Sequence, residues 1–147
     1  MNILAIDPGI GGGFAFTQEG AAFCHSMPEG MSAQADFIRG LVAYQNDLKA
    51  VMERTGTYKK GNSGPASVTF ARHCGNLEAI LYCFGIPTVQ VLPKKWQQHF
   101  GTMPKDKQER KRAIKELMAR RYPALSVTLK TADALAIWTY AQETGQL

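Results

Sequence analysis

The chain has 147 residues, of which 45% are hydrophobic and 20% charged, with a formal net charge of +5. That length and balance fit one globular domain with a real core and exclude a disordered or low-complexity chain. No apolar run reaches the roughly 20 residues that span a bilayer, and no basic stretch with a cleavage site opens the chain, so a cytoplasmic protein without a membrane partner is expected.

Residues 2–7, NILAID, read as a buried strand ending in Asp7. The glycines of PGIGGG follow at once, where small residues would let a polyanion's backbone come close. Residues 11–17 and 21–27 read as two more strands, joined by a turn at Gln18-Glu19-Gly20. The period then changes. Ala33, Phe37, Leu41, Tyr44 and Leu48 recur at helical spacing, which predicts a helix over 32–47 with Ser32 as N-cap. KAVMER (49–54) is a fourth strand, with Glu53 at its end.

Residues 55–65, TGTYKKGNSGP, form a glycine-rich basic loop whose Pro65 suits the first turn of a helix over 66–84. Phe70, Cys74, Leu77, Leu81 and Phe84 make that helix amphipathic, and Gly85 stops it. A fifth strand (88–92) leads to a short basic-aromatic piece (94–100), then to a cationic helix over 105–121 closed by Pro123. The last helix, 131–143, has Thr131 as N-cap and Asp133 in its first turn. This order predicts an α/β fold over residues 1–147. Its five-stranded mixed sheet, three antiparallel strands and then parallel ones, is flanked by helices. Cys24, Cys74 and Cys83 lack CxxC spacing and read as buried free thiols. Trp96 and Trp138 read as core, and His25, His73 and His99 form no catalytic pattern.

The charge is unevenly spread. Residues 105–121 hold eight basic and three acidic side chains, the whole net excess, while the remaining nine basic and nine acidic residues cancel. Such a segment favours a polyanionic partner.

Asp7, Glu53 and Asp133 each have an ordinary explanation: a turn former, a strand reaching solvent, an acid at a helix dipole. Their shared position at element ends suggests more. If strands one and four are parallel neighbours, both carboxylates reach the carboxyl edge of the sheet, where α/β sites lie. A cluster of three carboxylates calls for a hard divalent cation such as Mg²⁺. Two such ions about 3.5–4 Å apart cleave phosphodiesters. Acids for metal and a cationic helix for polyanion together suggest a nuclease.

AIDPGIGGGFAF, the strand-end glutamate of VMER and the late TADALAIW, in this order, resemble the motifs of RuvC-type Holliday-junction resolvases, which have a ribonuclease H-like fold. The resemblance implies a homodimeric, Mg²⁺-dependent crossover junction endodeoxyribonuclease, with Mn²⁺ as substitute, that nicks four-way branched DNA symmetrically. It implies that Asp7, Glu53 and Asp133 are metal-binding catalytic carboxylates. Where that family carries a fourth acid or a histidine, this chain has Lys130, either a fixed cation that orients water or stabilises the phosphorane, or a solvent-exposed lysine. In relatives the loop after the glutamate approaches the junction centre. Here Lys59 and Lys60 would meet phosphates and Tyr58 would stack on an unpaired base. Lys94, Lys95, Lys105, Lys107, Arg110 and Lys111 would form a backbone-binding band.

Three other readings stay open. One is a less selective flap or fork nuclease of the same fold. Another is a branched-DNA-binding module that does not cut. The third is an actin-like nucleotide-binding protein, whose first phosphate loop IDPGIGGG also resembles. That last class needs two domains and a second phosphate loop.

Overall fold

The structure is a computed structural model that describes residues 1–56 and 63–147. The chain runs β1 (Asn2–Asp7), β2 (Gly13–Gln18), β3 (Ala21–Ser26), α1 (Met31–Tyr44), β4 (Leu48–Glu53), α2 (Gly64–Cys83) and β5 (Thr88–Val91). It ends with α3 (Pro93–Gln98), α4 (Lys107–Arg121) and α5 (Ala132–Thr144). The strands form one sheet in the order β3-β2-β1-β4-β5. β1, β2 and β3 pair antiparallel, whereas β1, β4 and β5 pair parallel. This is the mixed five-stranded α/β sheet that the element order predicts.

Strand alternation divides the core in two. Leu4, Ile6, Ala50 and Met52 face α1 and α2, where Ile38, Leu77 and Leu81 cover them. Ile3, Ala5 and Val51 face the other way, onto α3, α4 and α5 through Trp96, Ile114, Met118 and Leu135. α5 is the central helix of that second layer. Residues 132–141 are all buried, as a helix apolar on every side must be. The Thr17 hydroxyl ties the layer together, accepting from the Ile3 amide and from Trp138 Nε1, each at 3.1 Å.

Several boundaries differ from expectation. α1 begins at Met31 behind Gly30, whose φ of 86° suits glycine, so Ser32 lies inside the helix. Leu48 starts β4 instead of ending α1; it pairs with Asn2 and is buried. The segment after β5, whose sequence predicts no element, is a short helix, α3. α4 starts two residues late because Asp106 caps it, accepting the Glu109 amide at 3.0 Å. α2 starts two residues early, at Gly64, with Ser63 accepting the Ala66 amide. Cys24 and Cys74 are only half-buried and Cys83 is exposed, contrary to the expected burial. Among the described residues no helix is long and apolar enough to cross a membrane.

Candidate active site

Asp7 and Glu53 share a face by parity. Counting along β1 and β4, residues 3, 5 and 7 and residues 49, 51 and 53 point to the α5 side. The parallel register matches Ile6 with Met52, and one step further brings Asp7 level with Glu53. Adjacent strands lie about 4.8 Å apart, so two carboxylates meet at the carboxyl edge. Asp7 is buried at 7% exposure, and Glu53 is half-buried.

The glycines after Asp7 serve the chain itself. Gly12 donates its amide to the Gly9 carbonyl at 3.0 Å and closes the turn that leads into β2. A Cβ on Gly12 would lie 2.0 Å from the Asp7 carbonyl oxygen. On Gly13 it would lie 2.7 and 2.8 Å from the carbonyl oxygens of His25 and Lys130. The expectation that these two glycines admit a foreign backbone is therefore corrected: the protein's own main chain fills that space. The tight turn holds the Asp7 backbone in place.

Asp133 comes from the first turn of α5, where the helix dipole favours an acid. Thr131 precedes it, but its hydroxyl accepts the Thr128 amide at 3.0 Å and caps nothing in α5. Asp133 is 9% exposed, and Lys111 of α4 donates from Nζ to its Oδ2 at 3.4 Å.

All three acids line one cleft of about 390 Å³, together with the turn 8–12, Phe70, Gln97 and the α4 side chains Lys107, Arg110, Lys111 and Ile114. Residues 107, 110, 111 and 114 share one helix face, so α4 turns a cationic stripe onto the acids. Arg110 is anchored, donating to the carbonyls of Pro104 (3.3 Å) and Lys105 (3.0 Å). Carboxylates without any thiol or imidazole among the described lining residues suit a hard divalent cation in chemistry. As they stand, however, no three metal-ligating side chains among the described residues are grouped to hold one. Lys111 engages Asp133, and Trp96 engages Glu53, its Nε1 donating to Oε2 at 2.7 Å.

Of the residues singled out by sequence, the structure brings Asp7, Glu53, Asp133, Lys107, Arg110 and Lys111 to this cleft. Lys130 lies on the exposed turn before α5 and is not among the lining residues. Lys94 lines an adjoining depression that shares Gln97 with the cleft, and Lys95 and Lys105 are exposed outside it. Tyr58, Lys59 and Lys60 lie outside the described residues. Sequence reasoning missed the second role of Trp96, which is fully buried and also holds Glu53. Its position just after β5, the strand whose Val91 pairs with Glu53, was the available signal. Gln97 of the basic-aromatic piece and Phe70 of the amphipathic helix also reach the cleft wall.

No family model matches the chain, and no curated protein matches it in sequence. Solved structures match in fold. A Thermus thermophilus RuvC structure covers 99% of this chain and 97% of its own, at 22% identity and a TM-score of 0.55. T. thermophilus RuvC in complex with Holliday junction substrate covers 99% and 96%, at 20% identity and a TM-score of 0.57. The chain therefore has the RuvC fold over nearly its whole length.

Proposed function

We propose that the protein is a divalent-metal-dependent, structure-selective endonuclease that resolves four-way DNA junctions inside the cell, leaving 5′-phosphates. The observation that carries this reading is the convergence of Asp7, Glu53 and Asp133 with Lys107, Arg110 and Lys111 in one cleft. The RuvC of the same fold holds a Holliday junction, which supports a branched DNA as the substrate.

Asp7, Glu53 and Asp133 would hold Mg²⁺ or Mn²⁺, which when bound supplies an activated water and positive charge for the leaving oxygen. The rest is done by the chain. Strand ends and a helix start position the carboxylates rigidly, and Trp96 fixes the rotamer of Glu53. Lys107 and Arg110 offer charge to the phosphate, with Arg110 pre-oriented by two carbonyls. Lys94, Lys95 and Lys105, with Tyr58, Lys59 and Lys60 of the loop, extend the contact along the backbone. Lys130, outside the cleft, serves that backbone grip better than catalysis. Paired nicks need two clefts facing a twofold-symmetric junction, hence a homodimer. The outer side of α2, where Val68 and Tyr82 are exposed, offers apolar surface for it.

A second reading, a module that binds branched DNA without cutting, is favoured by Lys130 standing where the resembled family carries a fourth acid or a histidine. Cleavage of a synthetic four-way junction in Mg²⁺ or Mn²⁺, with linear duplex and flap controls, separates the two. The nuclease reading expects paired symmetric nicks on the junction, lost in Asp7→Asn while binding persists. Tight binding without nicks by the unmodified protein would leave the binding module. Equal cutting of flaps would keep the chemistry and discard the junction selectivity.

A further inference from the structure

Lys111 has a role that a phosphate-binding band does not explain. Its Nζ lies 3.4 Å from Asp133 Oδ2, and the side chain of Asp133 is only 13% exposed against 35% for Lys111. Both line the cleft with Asp7 and Glu53. A carboxylate this buried is costly unless a charge or donor compensates it, and the ammonium does so here. The same contact has a second effect. An ammonium on Asp133 repels a divalent ion approaching that oxygen and occupies one of its acceptor directions.

We infer that Lys111 is the resident counter-ion of Asp133, that a divalent cation must displace it to use that carboxylate, and that the displaced ammonium then serves a DNA phosphate in the same cleft. The inference rests on the metal-dependent reading above. It also makes metal and DNA binding mutually reinforcing, because a phosphate gives the freed ammonium a new partner and any such coupling is reciprocal. Lys107 is the internal comparison. It sits one helical turn away on the same wall, and among the described residues it makes no ion pair with an acid.

Calorimetric titration of the DNA-free protein with Mn²⁺ tests this, using wild type, Lys111→Met, Lys111→Arg, Lys107→Met and Asp7→Asn. Lys111→Met is expected to bind Mn²⁺ about fivefold more tightly than wild type, the upper end for a partly exposed ion pair. Lys107→Met should gain about twofold at most from the general loss of positive charge. Lys111→Arg should stay near wild type. Equal affinities for wild type and Lys111→Met, or an equal gain in Lys107→Met, overturn the inference while weaker binding by Asp7→Asn still upholds the metal reading. Absence of Mn²⁺ binding in every variant overturns both.

Discussion

The two faces of the sheet are built by the same alternation and end differently. On the α1 and α2 side, Leu4, Ile6, Ala50 and Met52 meet Ile38, Leu77 and Leu81, so the strands send only apolar side chains into that layer. On the α5 side the same alternation runs Ile3, Ala5 and then Asp7, with Val51 followed by Glu53. The core therefore continues without a break into the site. A register slip of one residue would move Asp7 into the aliphatic layer beneath α1 and α2, so the packing that stabilises the fold also chooses where the charge emerges.

The first way to sharpen this contrast is to damage each face separately. Leu77→Ala, a fully buried side chain on the α2 side, is expected to cost about 3 kcal/mol in denaturant unfolding, while Mn²⁺ affinity of the folded protein stays unchanged. Gly12→Ala attacks the other side. With its Cβ directed at the Asp7 carbonyl, it is expected to cost about 2 kcal/mol and to weaken Mn²⁺ binding as well. Gly11→Ala, with open space around it, should change stability by less than about 0.5 kcal/mol in the same experiment.

Much of this division is legible in the sequence. Period-2 strands, the switch to helical spacing and the acids at element ends place Asp7, Glu53 and Asp133 near one edge. The cationic helix is visible from charge alone. What escapes is whatever depends on a partner distant in the chain. Gly12 and Gly13 look like an opening for a ligand, because nothing local shows that residues 7, 25 and 130 fill the space. Ser32 looks like a cap because the φ of Gly30 is set by the chain entering the helix. Lys111 and Lys130 are equally basic on paper. Only the packing of α4 against α5 directs one of them onto Asp133.

Smaller effects probe single contacts. Trp96→Phe deletes one hydrogen bond to a carboxylate and leaves a small cavity where the larger indole was, together about 2 kcal/mol by denaturation. Junction cleavage should fall about tenfold, with junction binding unchanged. His73, on the α2 side, gives the smallest signal. Burial lowers its pKa from the usual value, so the unfolded chain takes up a proton before the folded one does. Its stabilising share is present in full above pH of about 6.5 and shrinks as pH falls below it. His73→Gln should flatten that acid-side decline in thermal unfolding between pH 7 and pH 5.

The central claim is that the acids at the edge of the α5 face act as one site. It is tested most directly by junction cleavage rates of Glu53→Gln, Asp133→Asn and the double variant in Mn²⁺. If the carboxylates work as a unit, each single change removes nearly all cleavage and the double is no worse than either, as expected for groups that fail together. If the losses multiply, or either single variant cuts at close to the wild-type rate, the three acids are neighbours in a cleft and not one catalytic centre.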